Sequence, residues 1–79
     1  MNKDKIFEII KNNILEIMDE LPNEAIKNEI SLKELGANSI DRVEIITMSM
    51  EDLRLKIPLV DFAGIKNIGG LVAFFDEKS

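Results

Sequence analysis

Apolar residues recur along the first part of the chain at Ile6, Ile10, Ile14, Ile17 and Leu21, with Phe7 and Met18 beside them. This spacing puts them on one side of a helix and predicts one over Lys3 to Leu21. Asn2 or Asp4 is placed to cap it, and Pro22 ends it, since proline has no amide to donate. From Pro22 to Asn38 the periodicity lapses, which predicts a long loop with Leu32 and Leu35 as its anchors. Ser31 and Glu34 have capping-box spacing, room for a single helical turn, and Gly36 permits a sharp change of direction. The apolar pattern resumes at Ile40, Val43, Ile45, Ile46, Met48, Met50 and Leu53, predicting a second helix from Ser39 to Leu53 capped by Asn38 or by Ser39 itself. Asp41 in its first turn suits the positive end of the helix dipole. Its apolar residues spread over much of the circumference, so this helix is either central in the core or shared between core and partner. Ile57-Pro58 forces an extended link. Leu59 to Ala63 then reads as one short helix stopped by Gly64. Asn67 caps a last helix from Ile68 to about Phe75, which Gly69 and Gly70 each weaken by up to about 1 kcal/mol relative to alanine. No strand pattern appears. The expected fold is all-α: a small bundle of three main helices plus one short helix, a single domain over residues 1–79.

Composition removes most chemistry. The 79 residues include no histidine and no cysteine. Without them, Ser-His, Cys-His and His-metal constellations cannot be built from this chain, so no catalytic residue is assigned. Fifteen acidic against 10 basic residues give a formal charge of −5. That surface repels nucleic acid and anionic membranes, and favours partners with basic patches. No apolar run reaches the roughly 20 residues of a membrane span, and the charged N-terminal stretch is unlike a signal peptide. A cytoplasmic monomer is the expectation. Asp41, Glu44, Glu51 and Asp52 spread around the second helix as a solvated face would and lack EF-hand spacing, so no metal site is assigned.

One hydroxyl stands out, that of Ser39 within Leu35-Gly36-Ala37-Asn38-Ser39-Ile40. Its plain reading is a helix cap. Its other reading starts from position: a loop–helix junction that a modifying enzyme can reach, followed by apolar Ile40, Val43 and Thr47 and by acids. A chain that cannot activate its own serine can still use it as an attachment point.

That stretch resembles the acyl carrier protein signature L-G-x-D-S-[LI]. The resemblance extends over almost the whole chain: long first helix, long loop, serine-headed acidic second helix, Ile57-Pro58, short helix and closing helix fall in family order. It implies that Ser39 carries a 4′-phosphopantetheine arm, added from coenzyme A by a separate magnesium-dependent phosphopantetheinyl transferase. It implies a carrier and not an enzyme, holding acyl groups as thioesters. Where the family has an acid before the serine this chain has Asn38, which keeps the capping ability and loses a charge. That difference bears on transferase compatibility.

A narrower resemblance runs through Asp41-Arg42-Val43-Glu44, Met50-Glu51-Asp52-Leu53, Ile57-Pro58-Leu59-Val60, Phe62-Ala63-Gly64 and Lys66-Asn67-Ile68-Gly69. It is similar to the free-standing donor carriers of β-branching cassettes in bacterial polyketide synthases. In those, the arm is loaded with malonyl, and a decarboxylating ketosynthase-like protein converts this to acetyl. A hydroxymethylglutaryl-CoA synthase homologue then adds the acetyl group to a β-ketone on another carrier. The implied partners are these two proteins, an acyltransferase and the transferase. Within the carrier class the alternatives are a general fatty-acid carrier or a peptidyl carrier. Outside it stands a small helical adaptor without a prosthetic group, in which Ser39 only caps.

The family meets its enzymes on the second helix. The expected docking residues are Ile40, Arg42, Val43, Glu44, Thr47, Met50 and Glu51, with Glu44 and Glu51 two turns apart on one face. Arg42 has two readings: a surface ion pair with Asp41 or with the neighbours of Glu44, worth little, or a mark that lets one synthase tell this carrier from others. Met48 and Met50 read first as core filler, and Met50 is the one placed near Val43 and Thr47.

Overall fold

A computed structural model describes residues 2–79. Three α-helices, α1 (Lys3–Ile17), α2 (Ser39–Leu53) and α3 (Ile68–Lys78), are joined by two segments that each contain a short 3-10 turn, Asn23–Ala25 and Leu59–Phe62. Among the described residues there is no strand. α1 packs on both other helices. Ile6, Ile10 and Ile14 are fully buried from α1, and meet Ile45 and Leu53 of α2 and Ile68, Leu71, Val72 and Phe75 of α3.

α1 opens as its sequence indicates, with the Asn2 side chain accepting from the Lys5 amide at 2.8 Å. It closes four residues before the expected Leu21, at Ile17. Asp19 and Glu20 would put negative charge on the carbonyl end of a longer helix, and Pro22 disfavours a helical Leu21. Met18 instead leaves helical geometry (φ −123°, ψ 70°). A turn closed by the Leu21 amide on the Met18 carbonyl at 3.2 Å lets Leu21 pack against the core.

The loop carries local structure of its own. Ser31 and Glu34 bond reciprocally, amide to side chain, at 2.9 Å each way. Leu32 is buried, Leu35 half-buried, and Ile26 joins the core as a further anchor. Backbone bonds from Ile68 to Ile30 and from Gly69 to Asn28, both 2.9 Å, tie the loop to the start of α3. Gly69 suits this close approach: a Cβ would lie 3.2 Å from both the Cβ and the carbonyl oxygen of Asn28, so a larger residue would require Asn28 to shift by a few tenths of an ångström. Gly36 takes φ +100°, a left-handed conformation that glycine adopts freely, and so aims the chain into α2.

The second segment and α3 refine the expectation. The short helix is a 3-10 turn over Leu59–Phe62. α3 runs past Phe75 to Lys78, where Lys78 suits the carbonyl end and its ammonium lies 5.5 Å from the centre of the Phe74 ring.

One polar link crosses the core. The buried Asn13 amide of α1 donates to Ser49 Oγ at 3.0 Å and to Asp52 Oδ2 at 3.1 Å. Ser49 Oγ in turn donates to the Ile45 carbonyl at 2.8 Å. Removing the amide forfeits one neutral and one charge-assisted bond and leaves a small void. Asn13→Ala should therefore destabilise by about 2 kcal/mol, measured by urea unfolding. A loss under about 0.5 kcal/mol, the range of an ordinary surface change, would mean that the link contributes nothing net.

Candidate functional site

The site is built on the first turn of α2. Asn38 and Asp41 form a full capping box: Asn38 Oδ1 accepts from the Asp41 amide at 2.8 Å, and the Asn38 amide donates to Asp41 Oδ2 at 3.4 Å. Asn38, and not Ser39, is thus the cap. Ser39 is the first helical residue, exposed, with its hydroxyl free of any capping duty.

Arg42 is engaged with its own turn and with the loop before it. Its guanidinium turns back along the helix, donating to the Ala37 carbonyl at 2.8 Å and to Ser39 Oγ at 3.3 Å. It braces the approach loop and sets a fixed positive charge beside the serine. Its guanidinium is therefore held at the head of α2, beside Ser39.

The other residues of the expected docking face differ in exposure. Ile40 is 74% and Val43 46% exposed, and Glu44, Thr47 and Glu51 are exposed alongside. Ser39, Ile40, Val43, Glu44 and Thr47 share a shallow depression. Met50 stands at the margin, half-buried and packed against the core. Asp41 and Asp52 are committed to structural bonds, to Asn38 and Asn13 respectively.

Two apolar residues that the periodicity did not single out for recognition extend this surface. Leu59 and Val60, on the 3-10 turn, are 46% and 75% exposed. Behind them a groove of about 580 Å³ opens between α2, that turn and α3, with Ser39 and Arg42 on its lining.

The first turn suits a phosphodiester. First-turn amides of a helix have no intrahelical partner, the dipole favours an anion there, and the Arg42 guanidinium is already within bonding distance of Ser39 Oγ. The residues present fit a 4′-phosphopantetheine group.

Known proteins agree. Residues 8–75 match the family model described as the phosphopantetheine attachment site. The polyketide biosynthesis acyl-carrier-protein AcpK of Bacillus subtilis is 49% identical over 78 residues, covering 99% of this chain and 95% of that protein. An acyl carrier protein of Clostridium perfringens is 35% identical over 76 residues, covering 96% of this chain and 95% of its own length. Among solved structures, the crystal structure of the curacin biosynthetic pathway HMG synthase in complex with acetyl donor-ACP contains a chain that superposes with TM-score 0.90 at 46% identity. The match covers 99% of this chain and 100% of that one. The chain therefore belongs to the phosphopantetheine attachment-site family, as an acyl carrier protein that bears 4′-phosphopantetheine and is not itself an enzyme.

Proposed function

We propose that Ser39 is the attachment residue and that the loaded protein is the acetyl donor to a hydroxymethylglutaryl-CoA synthase homologue in polyketide β-branching. The observation that carries the attachment is the Ser39 hydroxyl itself: exposed, at the first position of α2, with a guanidinium 3.3 Å away. The donor role is supported by the full-length likeness to a chain of the curacin synthase–donor complex.

Each part of the site has a task. Arginine offers only donors, so Arg42 stabilises negative charge at Ser39 but takes no proton from it. The base for attachment comes from the transferase. When attached, the arm supplies the thiol that this cysteine-free chain lacks. Asn38 and Asp41 fix the first turn, so the arm leaves from a constant position. Ile40 and Val43 offer apolar contacts beside it, and Glu44 and Glu51 steer basic partners. The transferase, an acyltransferase, a decarboxylating ketosynthase-like protein and the synthase homologue are the enzymes this surface serves in turn.

The test is acetyl transfer. The protein is loaded with an acetyl-phosphopantetheine arm by a broad-specificity transferase and mixed with the synthase homologue. The acetyl group should move to the synthase, as read by intact-protein mass. Ile40→Ala should slow this by about fivefold, the effect of an interface residue contributing 1 kcal/mol. If the synthase accepts acetyl from another donor carrier but not from this one, the donor role is wrong and a general fatty-acid carrier takes its place.

A further inference from the structure

We propose that Arg42 is the positioning residue for the arm's phosphodiester. Its guanidinium holds the phosphate on the side of α2 away from Ile40, Glu44 and Thr47, and so keeps the docking face clear of the arm's root. The inference rests on attachment at Ser39 and extends it from where the arm is joined to the side on which it leaves.

The first ground is where Ser39 stands. Successive residues of an α-helix are about 100° apart, so Arg42 lies about 60° to one side of Ser39, and Ile40, Thr47 and Glu44 about 80–140° to the other. The surface repeats this division. Ser39 lines both the groove and the shallow depression, Arg42 only the groove, and Ile40, Glu44 and Thr47 only the depression. A group joined to Ser39 can therefore lie on either side, and Arg42 is a cation on one side only.

The second ground is that the two bonds of Arg42 are unequal. Nη1 is rooted at 2.8 Å on the carbonyl of Ala37, a buried residue. Nη2 reaches Ser39 Oγ at 3.3 Å, beyond the usual N–H···O range of roughly 2.7–3.2 Å. A bond that long yields to a better acceptor, and an anionic phosphate oxygen is one. The guanidinium carries its donors in a planar fork. It can keep Ala37 with one arm of the fork while the other turns from Ser39 Oγ to the phosphate.

The third ground is charge. Both oxygens that Arg42 bonds are uncharged. Asn38, four residues before it, is neutral, and Asp41 turns its carboxylate to the Asn38 amide at 3.4 Å. The cation thus adds to the positive end of the helix dipole at the residue that takes the anion. The hold acts on the phosphate alone, so the pantetheine beyond it stays free to reach an enzyme. Ile40, 74% exposed, stays open to partners before and after loading.

The experiment loads wild type, Arg42→Gln and Arg42→Lys from coenzyme A with a broad-specificity transferase and confirms each by intact mass. Loaded and unloaded protein are compared within each variant, so that changes in basal stability cancel. Attachment should lower the unfolding constant of wild type by about twofold to fivefold more than that of Arg42→Gln, the scale of an exposed ion pair. The helix dipole acts in both and drops out of the comparison. The excess should fade in 1 M salt, where the screening length is about 3 Å. Arg42→Lys keeps the charge without the fork and should recover only part of it; full recovery would overturn the two-handed hold. The side is read by NOEs from the geminal methyl groups next to the phosphate end of the arm. In loaded wild type these should reach the Arg42 side chain and not Ile40 or Thr47, a preference that Arg42→Gln should lose. Equal gains in wild type and Arg42→Gln, or methyl contacts to Ile40 and Thr47 in wild type, overturn the proposal. No mass gain in wild type overturns the attachment reading and this one together, whereas a mass gain with identical behaviour of the variants overturns this one alone.

Discussion

Ser39→Ala should gain no mass when incubated with coenzyme A, magnesium and a broad-specificity transferase, while the wild-type protein gains one phosphopantetheine. The variant should remain folded, and its stability should stay within about 0.5 kcal/mol of wild type, as for an ordinary surface change. That second expectation comes from the capping geometry. The Asn38 side chain satisfies the Asp41 amide, and Asp41 returns the bond. Among the described residues the only side-chain bond to lose at Ser39 is the 3.3 Å contact from Arg42, and alanine is the better helix former. Asn38→Ala should show the opposite pattern: about 1 kcal/mol of stability lost with the cap, and Ser39 still modified. On the proposed reading, modification and capping belong to adjacent residues and can be separated. A mass gain in Ser39→Ala would move the attachment elsewhere. No gain in wild type, with a transferase proven on another carrier, would leave the helical adaptor as the better account of the serine.

Much of this was readable before any coordinates. α2 carries its start in Asn38, its dipole partner in Asp41 and its end in the last apolar residue, Leu53; its observed bounds are the expected ones. The serine motif lies at the head of that helix, so its place in the fold was legible with it. Where polar residues carry the ends, periodicity is silent. Asp76, Glu77 and Lys78 extend α3 with no apolar signal to mark them, while Leu21, apolar and in register, lies beyond the end of α1 because it reaches the core through a turn. The Asn13–Ser49 link was invisible for a different reason. The two residues lie 36 positions apart, and a buried polar pair leaves no pattern in either helix alone. Arg42 shows the same limit. Its acidic neighbours in sequence suggested an ion pair as one of two readings, and the Ala37 carbonyl at the loop's end offers a bond that only the folded turn presents.

The largest stability loss should follow from Phe75→Ala. Phe75 is fully buried, and its ring centre lies 5.6 Å from that of Phe62, which in turn meets Phe74 edge-on at 5.1 Å. Truncating a buried phenylalanine costs about 3–5 kcal/mol. A chain of this size has only about 4–12 kcal/mol in total, at roughly 0.05–0.15 kcal/mol per residue. The urea midpoint should fall by about 2–3 M, for an m-value near 1.5 kcal/mol/M, with the slope unchanged. Phe74→Ala should lose clearly less, since Phe74 is half-buried and shares its ring face with Lys78. The consequence reaches the groove. Phe62 forms part of its lining and is seated on Phe75. Losing that seat should free the 3-10 turn and speed hydrogen exchange at the Ala63 and Ile65 amides, which bond back to Val60 and Phe62. Equal losses for Phe74→Ala and Phe75→Ala, or unchanged exchange at Ala63 and Ile65, would show that the turn is held by something other than the aromatic cluster. In that case the groove wall would not depend on the core that α3 supplies.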